Sequence, residues 1–460
     1  MIFPLVIYLY ISMISLYYIF YGFSLFVNTK KSLEFLEEKK KESYTGSNVP
    51  IILLLPVLRE QNIIIQTLRH LSNLDYDYKK IKIIVITSQK EIAEEKLYKN
   101  LNFNTIEIVK KLIPILNKSL KREVFRHFHF PYEKGVKSDQ LNYALEKLEK
   151  EDKYLFANKQ SYIGLYDSDM ISNKDFLKIL SDDALKNNFP LVYQQPIIYL
   201  KNYNNLPNNA SGLFMKGFAL LQTRYSLGYE IPMFLNSFLN NKKHFPKMRY
   251  CIGHGLFIRA DFLKKVCWFP TPIEDTRFGH ILSYLGEGIK LLPSIASTDV
   301  VARIPLLFRQ TSVWFIGESY FIYDLKIAKK IKKINIVRAI SLICHKFLKN
   351  FIWATEGLIF TSAIVLAFYT PYPKFFILAI AFSLFVYVYP SVFYVINKSL
   401  LVESLCDRFI NFYPCRKDKV TCLISLPSNI FTLFLGPQLG LMRLIKSFFS
   451  KSIILPKTER

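Results

Sequence analysis

The stretch "VPIILLLPVLRE", Val49–Glu60, is almost unbroken apolar residue until it ends in a proline, an arginine and a glutamate. A strand buried on both faces reads this way, because neither side of its pleat meets water. The run therefore predicts a buried parallel strand feeding a loop. Downstream, "IIIQTLRHLSNL" (63–74) has helical spacing, and "IKIIVITSQKE" (81–91) is a second buried run. Strand, helix, strand makes a βαβ unit with a right-handed crossover. "SDQLNYALEKLEK" (138–150) follows as an amphipathic helix and "SYIGLYDSDM" (161–170) as the next strand. The expected fold class is α/β, Rossmann-like, with a mostly parallel sheet. Ligands of such sheets sit beyond the carboxyl ends of the strands, and Glu60, Thr87, Ser88, Asp167 and Asp169 all fall there.

Asp167 and Asp169 stand one residue apart, and like charges so close raise each other's pKa unless something positive joins them. A divalent metal would do this; a solvated turn ending the strand is the plainer reading. A calcium-binding EF-hand loop counted from Asp167 would need Gly and Glu where Ser172 and Lys178 stand. A phosphatase of the haloacid dehalogenase type would usually have Thr or Val where Ile171 stands.

The chain has 460 residues, 51% of them hydrophobic and 15% aromatic, with a formal net charge of +25. That length suits two or three domains. The charge points to anionic lipid or an anionic small substrate. No Lys/Arg-dense recognition helix or zinc-finger spacing occurs, so nucleic acid is not an expected partner. Six scattered cysteines without a CxxC pair suit reduced thiols in a cytoplasmic setting.

Residues 2–27 contain no charge, enough for a helix across a bilayer, which needs about 20 residues. The lysines of "NTKKSLEFLEEKKK" (28–41) mark its cytoplasmic end. "FIWATEGLIFTSAIVLAFY" (351–369) and "FFILAIAFSLFVYVYPSVFYVI" (375–396) read as two further spans, and the segment 397–419 is basic and cytoplasmic. The last apolar stretch, 420–442, is broken by Pro427 and by Gly436–Pro437, and is left open as a third span or a re-entrant segment. The expected organisation is a membrane helix over 1–28, a cytoplasmic domain over 45–305, interfacial amphipathic helices over 306–350 and a membrane region over 351–460. Localisation is then a multi-pass cell-membrane protein with its catalytic domain in the cytoplasm and its basic collars on anionic lipid.

Over roughly Val49–Trp314 the motifs, in order, resemble the membrane-bound family 2 glycosyltransferases, a group similar to cellulose and hyaluronan synthases. "LLPVLRE" resembles the first strand through Pro56 and Glu60, with Arg59 where Asn is usual. "GVKSDQLNYAL" resembles G-K-x-x-x-L-N-x-A-L through Gly135, Lys137, Leu141, Asn142 and Ala144; "YDSDM" looks like the family's DxD. "VYQQP" resembles the Gln-x-Pro strand through Gln195 or Gln194 and Pro196, and "GHGLFIRAD" the Gly-rich acceptor segment. "PIEDTRFGHILSYLGEGIKL" resembles E-D-x-x-x-G-x-x-L, and "RQTSVWFIG" partly resembles Q-x-x-R-W.

The resemblance implies a GT-A domain flanked by transmembrane helices and an inverting hexosyl transfer from a nucleotide diphosphate sugar, a UDP-sugar by preference, to a saccharide or lipid-linked acceptor. Mg2+ or Mn2+ would be held by Asp169 and Asp167. Asp275 would be the general base and Glu274 its neighbour on the acceptor side. Pro56, Glu60, Thr87, Ser88, Lys137 and Asp167 would face the donor nucleotide, Lys137 close to phosphate. Gln195, Gly253, His254, Gly255, Gln310 and Trp314 would line the acceptor and sugar pocket, His254 standing exposed between two glycines that allow close backbone approach. His127 and His129 of "HFHF" read as structural.

Two departures from the family pattern matter. Thr87 and Ser88 replace the usual Asp-Asp, which loosens the expectation for the base, and Val313 replaces the Arg of Q-x-x-R-W, with Arg309 nearby. The second makes transfer of one sugar or a short extension more plausible than processive synthesis. A polyprenyl-phosphate sugar synthase, or a membrane scaffold keeping a degenerate transferase fold, are the competing readings; an oligomer is open.

Overall fold

The computed structural model describes residues 2–46, 48–97, 104–239, 246–301, 303–369, 373–405 and 416–450, in some helical stretches by backbone alone. Its strands in chain order are β1 (Ile51–Pro56), β2 (Ile81–Ser88), β3 (Phe125–Phe130), β4 (Tyr162–Leu165), β5 (Ile171–Ser172), β6 (Val192–Gln194), β7 (Ile197–Ile198), β8 (Leu256–Arg259), β9 (Lys290–Leu291) and β10 (Ala296–Ser297). Seven make one sheet in the order β3-β2-β1-β4-β8-β6-β9, and β5-β10-β7 make a small second sheet. The large sheet is parallel except for β8, which runs antiparallel to β4 and β6, with Leu256 opposite both Leu165 and Gln194. The fold is therefore α/β with a mostly parallel sheet.

Reversal of β8 decides where the site lies. The residues just before it, Gly253–Gly255, arrive at the edge where β1, β4 and β6 end. Gly255 seals the junction, donating its N–H to Leu165 O at 2.9 Å and accepting from Gln195 N at 2.7 Å. Beneath it Leu53, Leu54, Leu55, Ile83, Ile84 and Val85 are buried, each worth roughly 1.5–3 kcal/mol relative to exposure.

The first helix, α1 (Ile2–Lys40), precedes the sheet. Around and after β1 come α2 (Ile64–Leu71), α3 (Gln89–Leu97), α4 (Thr105–Ser119), α5 (Lys137–Glu151), α6 (Phe176–Lys186), α7 (Ala210–Tyr225), α8 (Ile231–Leu239), α9 (Ala260–Lys265) and α10 (Glu274–Leu285). A π-helical turn, Ser226–Glu230, joins α7 to α8. The chain closes with α11 (Ile304–Ser319), α12 (Phe321–Ile331), α13 (Ile336–Tyr369), α14 (Pro373–Leu405) and α15 (Arg416–Ser450).

Among the described residues three helical stretches are long and apolar enough to cross a membrane: Tyr8–Lys40, Phe376–Asn397 and Val420–Lys446. Large apolar side chains stand outward on them, Phe20 at 72% and Leu378 at 63% exposed, an arrangement that suits lipid better than water. Inward, Tyr18 packs edge-on against Tyr387 and Phe26 against Tyr394, joining α1 to α14. α13 runs unbroken through the boundary expected at 350, from the interfacial region 306–350 into the apolar stretch 351–369. α15 is a single helix through Pro427 and Pro437, with Ser428 and Thr432 donating back to the carbonyls of Ile424 and Ser428. Within the basic segment predicted at 397–419, residues 397–405 continue α14 and 416–419 open α15; 406–415 and the tail after 450 lie outside the described residues. Cys251, Cys267, Cys344 and Cys422 are free thiols.

Candidate active site

The ammonium of Lys137 organises the carboxyl edge of the sheet. The residue opens α5, whose amino end is capped when Val136 N donates to Asp139 Oδ2 at 2.8 Å. Lys137 Nζ donates to Asp167 Oδ1 at 2.8 Å and to Gly253 O at 2.9 Å, and lies 3.3 Å from Glu274 Oε1. Three segments far apart in sequence thus meet on one cation. Burial works against its charge, but Asp167, Glu274 and Asp275 together outweigh burial and hold the lysine above its ordinary pKa. A charge pair about 4 Å apart near a protein surface is worth roughly 4 kcal/mol before desolvation is counted, so several outweigh the partial burial of one amine.

Glu274 and Asp275 open α10, where carboxylates suit the positive end of the helix dipole. Ile273, just before them, holds φ at 60° in the left-handed region, a costly conformation for a β-branched residue that persists only when its surroundings enforce it. Gly253 is needed across from them: a Cβ there would stand 2.7 Å from Asp275 Oδ2. Burial pushes Glu274 up to about 7 against the pull of Lys137, with Asp275 adding to the rise. Burial likewise raises Asp275, opposed by Lys137 and by the hydrogen bond from Thr276 N. α10 is fixed from behind by Asp324 of α12, which accepts from Arg277 Nε at 2.8 Å and pairs with His280 Nδ1 at 2.9 Å.

Asp167 lines a cleft of about 540 Å³ together with Pro56, Glu60, Lys137, Glu274 and Asp275. Gly253, His254, Gln310 and Trp314 line it too. Asp169 sits deeper, fully buried, with Oδ2 accepting from Thr298 Oγ1 at 2.8 Å. Among the described residues no three His, Cys, Asp or Glu side chains cluster as a ready-made metal site. A magnesium-like ion is ordinarily held by one or two carboxylates plus substrate phosphates; Asp167 offers such an oxygen to the cleft, whereas Asp169 does not line it.

The other expected residues fall differently. His254 is not exposed: only 7% of it meets solvent, because its carbonyl is held by Gln194 Nε2 at 2.9 Å and its Nδ1 lies 3.4 Å from Asp167 Oδ2. Gln194 does the bracing there, also accepting from Ile252 N at 2.9 Å. Gln195 is fully buried and turned toward Ser172 and Ser294 instead, as neighbours on a strand point to opposite faces. Gly255 takes φ of 64°, and a Cβ on it would press on the side chain of Gln195 at 2.8 Å. Thr87 and Ser88 are buried and not part of the cleft lining. Thr87 Oγ1 is bound to His127 Nε2 at 2.7 Å and His129 Nδ1 at 2.9 Å, which gives the "HFHF" alternation a structural partner. Arg59, where the family pattern has Asn, sits at φ 58°, a region Asn enters more readily; its N–H donates to Glu91 Oε2 at 2.7 Å.

The cleft does not stop at the sheet. It continues between α1, α7, α13, α14 and α15, where Tyr18, Arg224, Tyr225, Trp353, Tyr387 and Asn429 line it. Sequence reading passed over these residues; the π turn after α7 and the tyrosine pairs of α1 are visible only once the helices pack.

No family model matches the chain, and no curated protein matches it. Among solved structures, the mannosyltransferase PcManGT from Pyrobaculum calidifontis, in complex with GDP-Man and Mn2+, is similar over 90% of this chain and 99% of its own, at 11% identity and a TM-score of 0.44. TarS 1-349 of S. aureus in complex with UDP-GlcNAc is similar over 89% of this chain and 98% of its own, at 13% identity and a TM-score of 0.35. Overlaps this loose carry no conclusion about activity.

Proposed function

We propose that the chain is a membrane-integrated, inverting glycosyltransferase of GT-A type, nearest in motif order to the membrane-bound family 2 enzymes, that takes a sugar from a nucleotide diphosphate donor. The observation that carries this reading is the Lys137 junction, where the Asp167 turn and the Glu274–Asp275 helix start share one ammonium at the mouth of a cleft. Donor diphosphate would lie over Pro56, Glu60 and Lys137, with Asp167 and Asp169 holding Mg2+ or Mn2+. Such an ion, when bound, supplies positive charge against the departing diphosphate.

An acceptor hydroxyl in the pocket beside Trp314, Gln310 and His254 would attack the anomeric carbon from the face opposite the diphosphate. Asp275 takes the hydroxyl proton as the new C–O bond forms and the old bond to the phosphate oxygen breaks, its electron pair leaving with the nucleoside diphosphate. A carboxyl raised by its enclosure is a stronger base than an exposed one, provided it is ionised. Glu274, between Lys137 and Asp275, tunes that balance. α1, α14 and α15 would cross the membrane and put the cleft at its cytoplasmic face, within reach of a lipid-linked or growing acceptor.

The test is release of nucleoside diphosphate by purified protein from a panel of nucleotide sugars with Mn2+ or Mg2+ and membrane lipid extract. Release from one donor, abolished by Asp169→Asn and by Asp275→Asn, supports the reading. No release and no donor binding leaves a membrane scaffold.

A further inference from the structure

At the membrane end of the cleft, three residues carry buried donors that have no hydrogen-bond partner among the described residues. Arg224 of α7 is 1% exposed, and its Nε and Nη1 have no hydrogen-bond partner among the described residues. The same is true of Tyr18 Oη on α1, in a side chain 2% exposed, and of Asn429 Nδ2 on α15, in one 3% exposed. All three residues line the cleft and come from three different helices. No carboxylate pairs with Arg224 among the described residues; its guanidinium lies over the Tyr387 ring, 4.6 Å from the centroid. Glu230, which lines the same cleft, is engaged by Tyr250 Oη at 2.9 Å.

A buried guanidinium left without acceptors is expensive, and its planar fork matches phosphate or carboxylate oxygens. The π turn directly after α7 is of the kind that recurs at functional sites. We propose that this end of the cleft is an anion subsite for the acceptor, in which Arg224, with Tyr18 beside it across the Tyr387 ring, holds the oxygens of a phosphate or carboxylate. The subsite rests on the transferase reading for its role and names the acceptor class: one that carries negative charge away from the reacting hydroxyl. A lipid phosphate and a uronic acid are two sources of the same chemistry.

The full chain in phosphatidylcholine nanodiscs allows a test by tryptophan fluorescence, since Trp314 and Trp353 both line the cleft. UDP and GDP are titrated first and the tighter one is kept saturating. Farnesyl phosphate is then compared with farnesol, and cellobiouronic acid with cellobiose. The anionic member of one pair is expected to bind about tenfold or more tightly than its neutral twin, the scale of a charge-assisted hydrogen bond, and the pair that responds identifies the source. Arg224→Gln should erase that preference and Arg224→Lys should keep part of it. Equal binding of both twins in both pairs, or an unchanged preference in Arg224→Gln, overturns the subsite. If Arg224→Gln does not fold, the wild-type twin comparison decides alone. Failure of both nucleotides with the anion preference intact sinks the transferase reading and leaves the subsite; the reverse outcome sinks the subsite alone.

Discussion

The two ends of the cleft handle charge in opposite ways. At the sheet end, one ammonium from Lys137 faces the carboxylates of Asp167 and Glu274 directly and that of Asp275 close by. At the helix end, Arg224 has no carboxylate partner among the described residues and rests on an aromatic ring. The first end pairs its charges within the protein and adjusts the basicity of its own carboxylates. The second is unfinished and waits for oxygens from outside. A site that moves a proton and a site that grips a charged group need different things: the one a tuned group, the other an empty acceptor position.

The comparison breaks most readily at Asp275. Asp275→Asn should lower turnover by about 10²–10⁴-fold, the usual worth of a general base, while leaving nucleoside diphosphate binding in place, as read by release assays beside a binding titration. A variant that turns over normally would move the base elsewhere. Next comes the support behind the helix. Asp324→Asn strips the buried partner from Arg277 and His280, and removing one member of a buried ion pair costs about 3–5 kcal/mol. A thermal midpoint within a degree or so of wild type would show that α10 is held by packing alone.

Lys137→Met should weaken nucleoside diphosphate binding by about tenfold or more, the scale of a lost charge-assisted hydrogen bond. It should also push Glu274 upward from about 7, since Lys137 is what holds it down. The pH profile sharpens the same point. Asp275 works as a base only when ionised and its pKa is raised by burial, so kcat/KM should fall with decreasing pH along a limb lying above the ordinary carboxylate value of about 3.9. A limb at or below that value would remove Asp275 from the base role. The smallest effect is expected at Thr87→Val, which breaks hydrogen bonds to His127 and His129 at about 1 kcal/mol of stability with unchanged nucleotide affinity. A loss of affinity would place Thr87 at the donor after all.

Much of the sheet end was legible in the chain. The apolar run before Pro56, the aspartates after β4 and the acidic start of α10 are local patterns, and local patterns follow from burial and helix polarity. What misled was exposure and side-chain direction. His254 looks free between two glycines, yet the loop is closed over it by Gln194. Gln194 and Gln195 are adjacent, and only pairing with β8 decides which faces the loop. Thr87 looks outward from a strand end until the register of β2 with β3 sets it opposite His129.

The sequence by itself determined the α/β alternation, the apolar helices and the order of the carboxylate motifs, because hydrophobic period and strand ends are properties of short segments. Tertiary structure alone decided that Lys137 joins those motifs and that Arg224 is left without an acceptor among the described residues. Whether a polar atom is satisfied depends on every element around it, and no single segment records that.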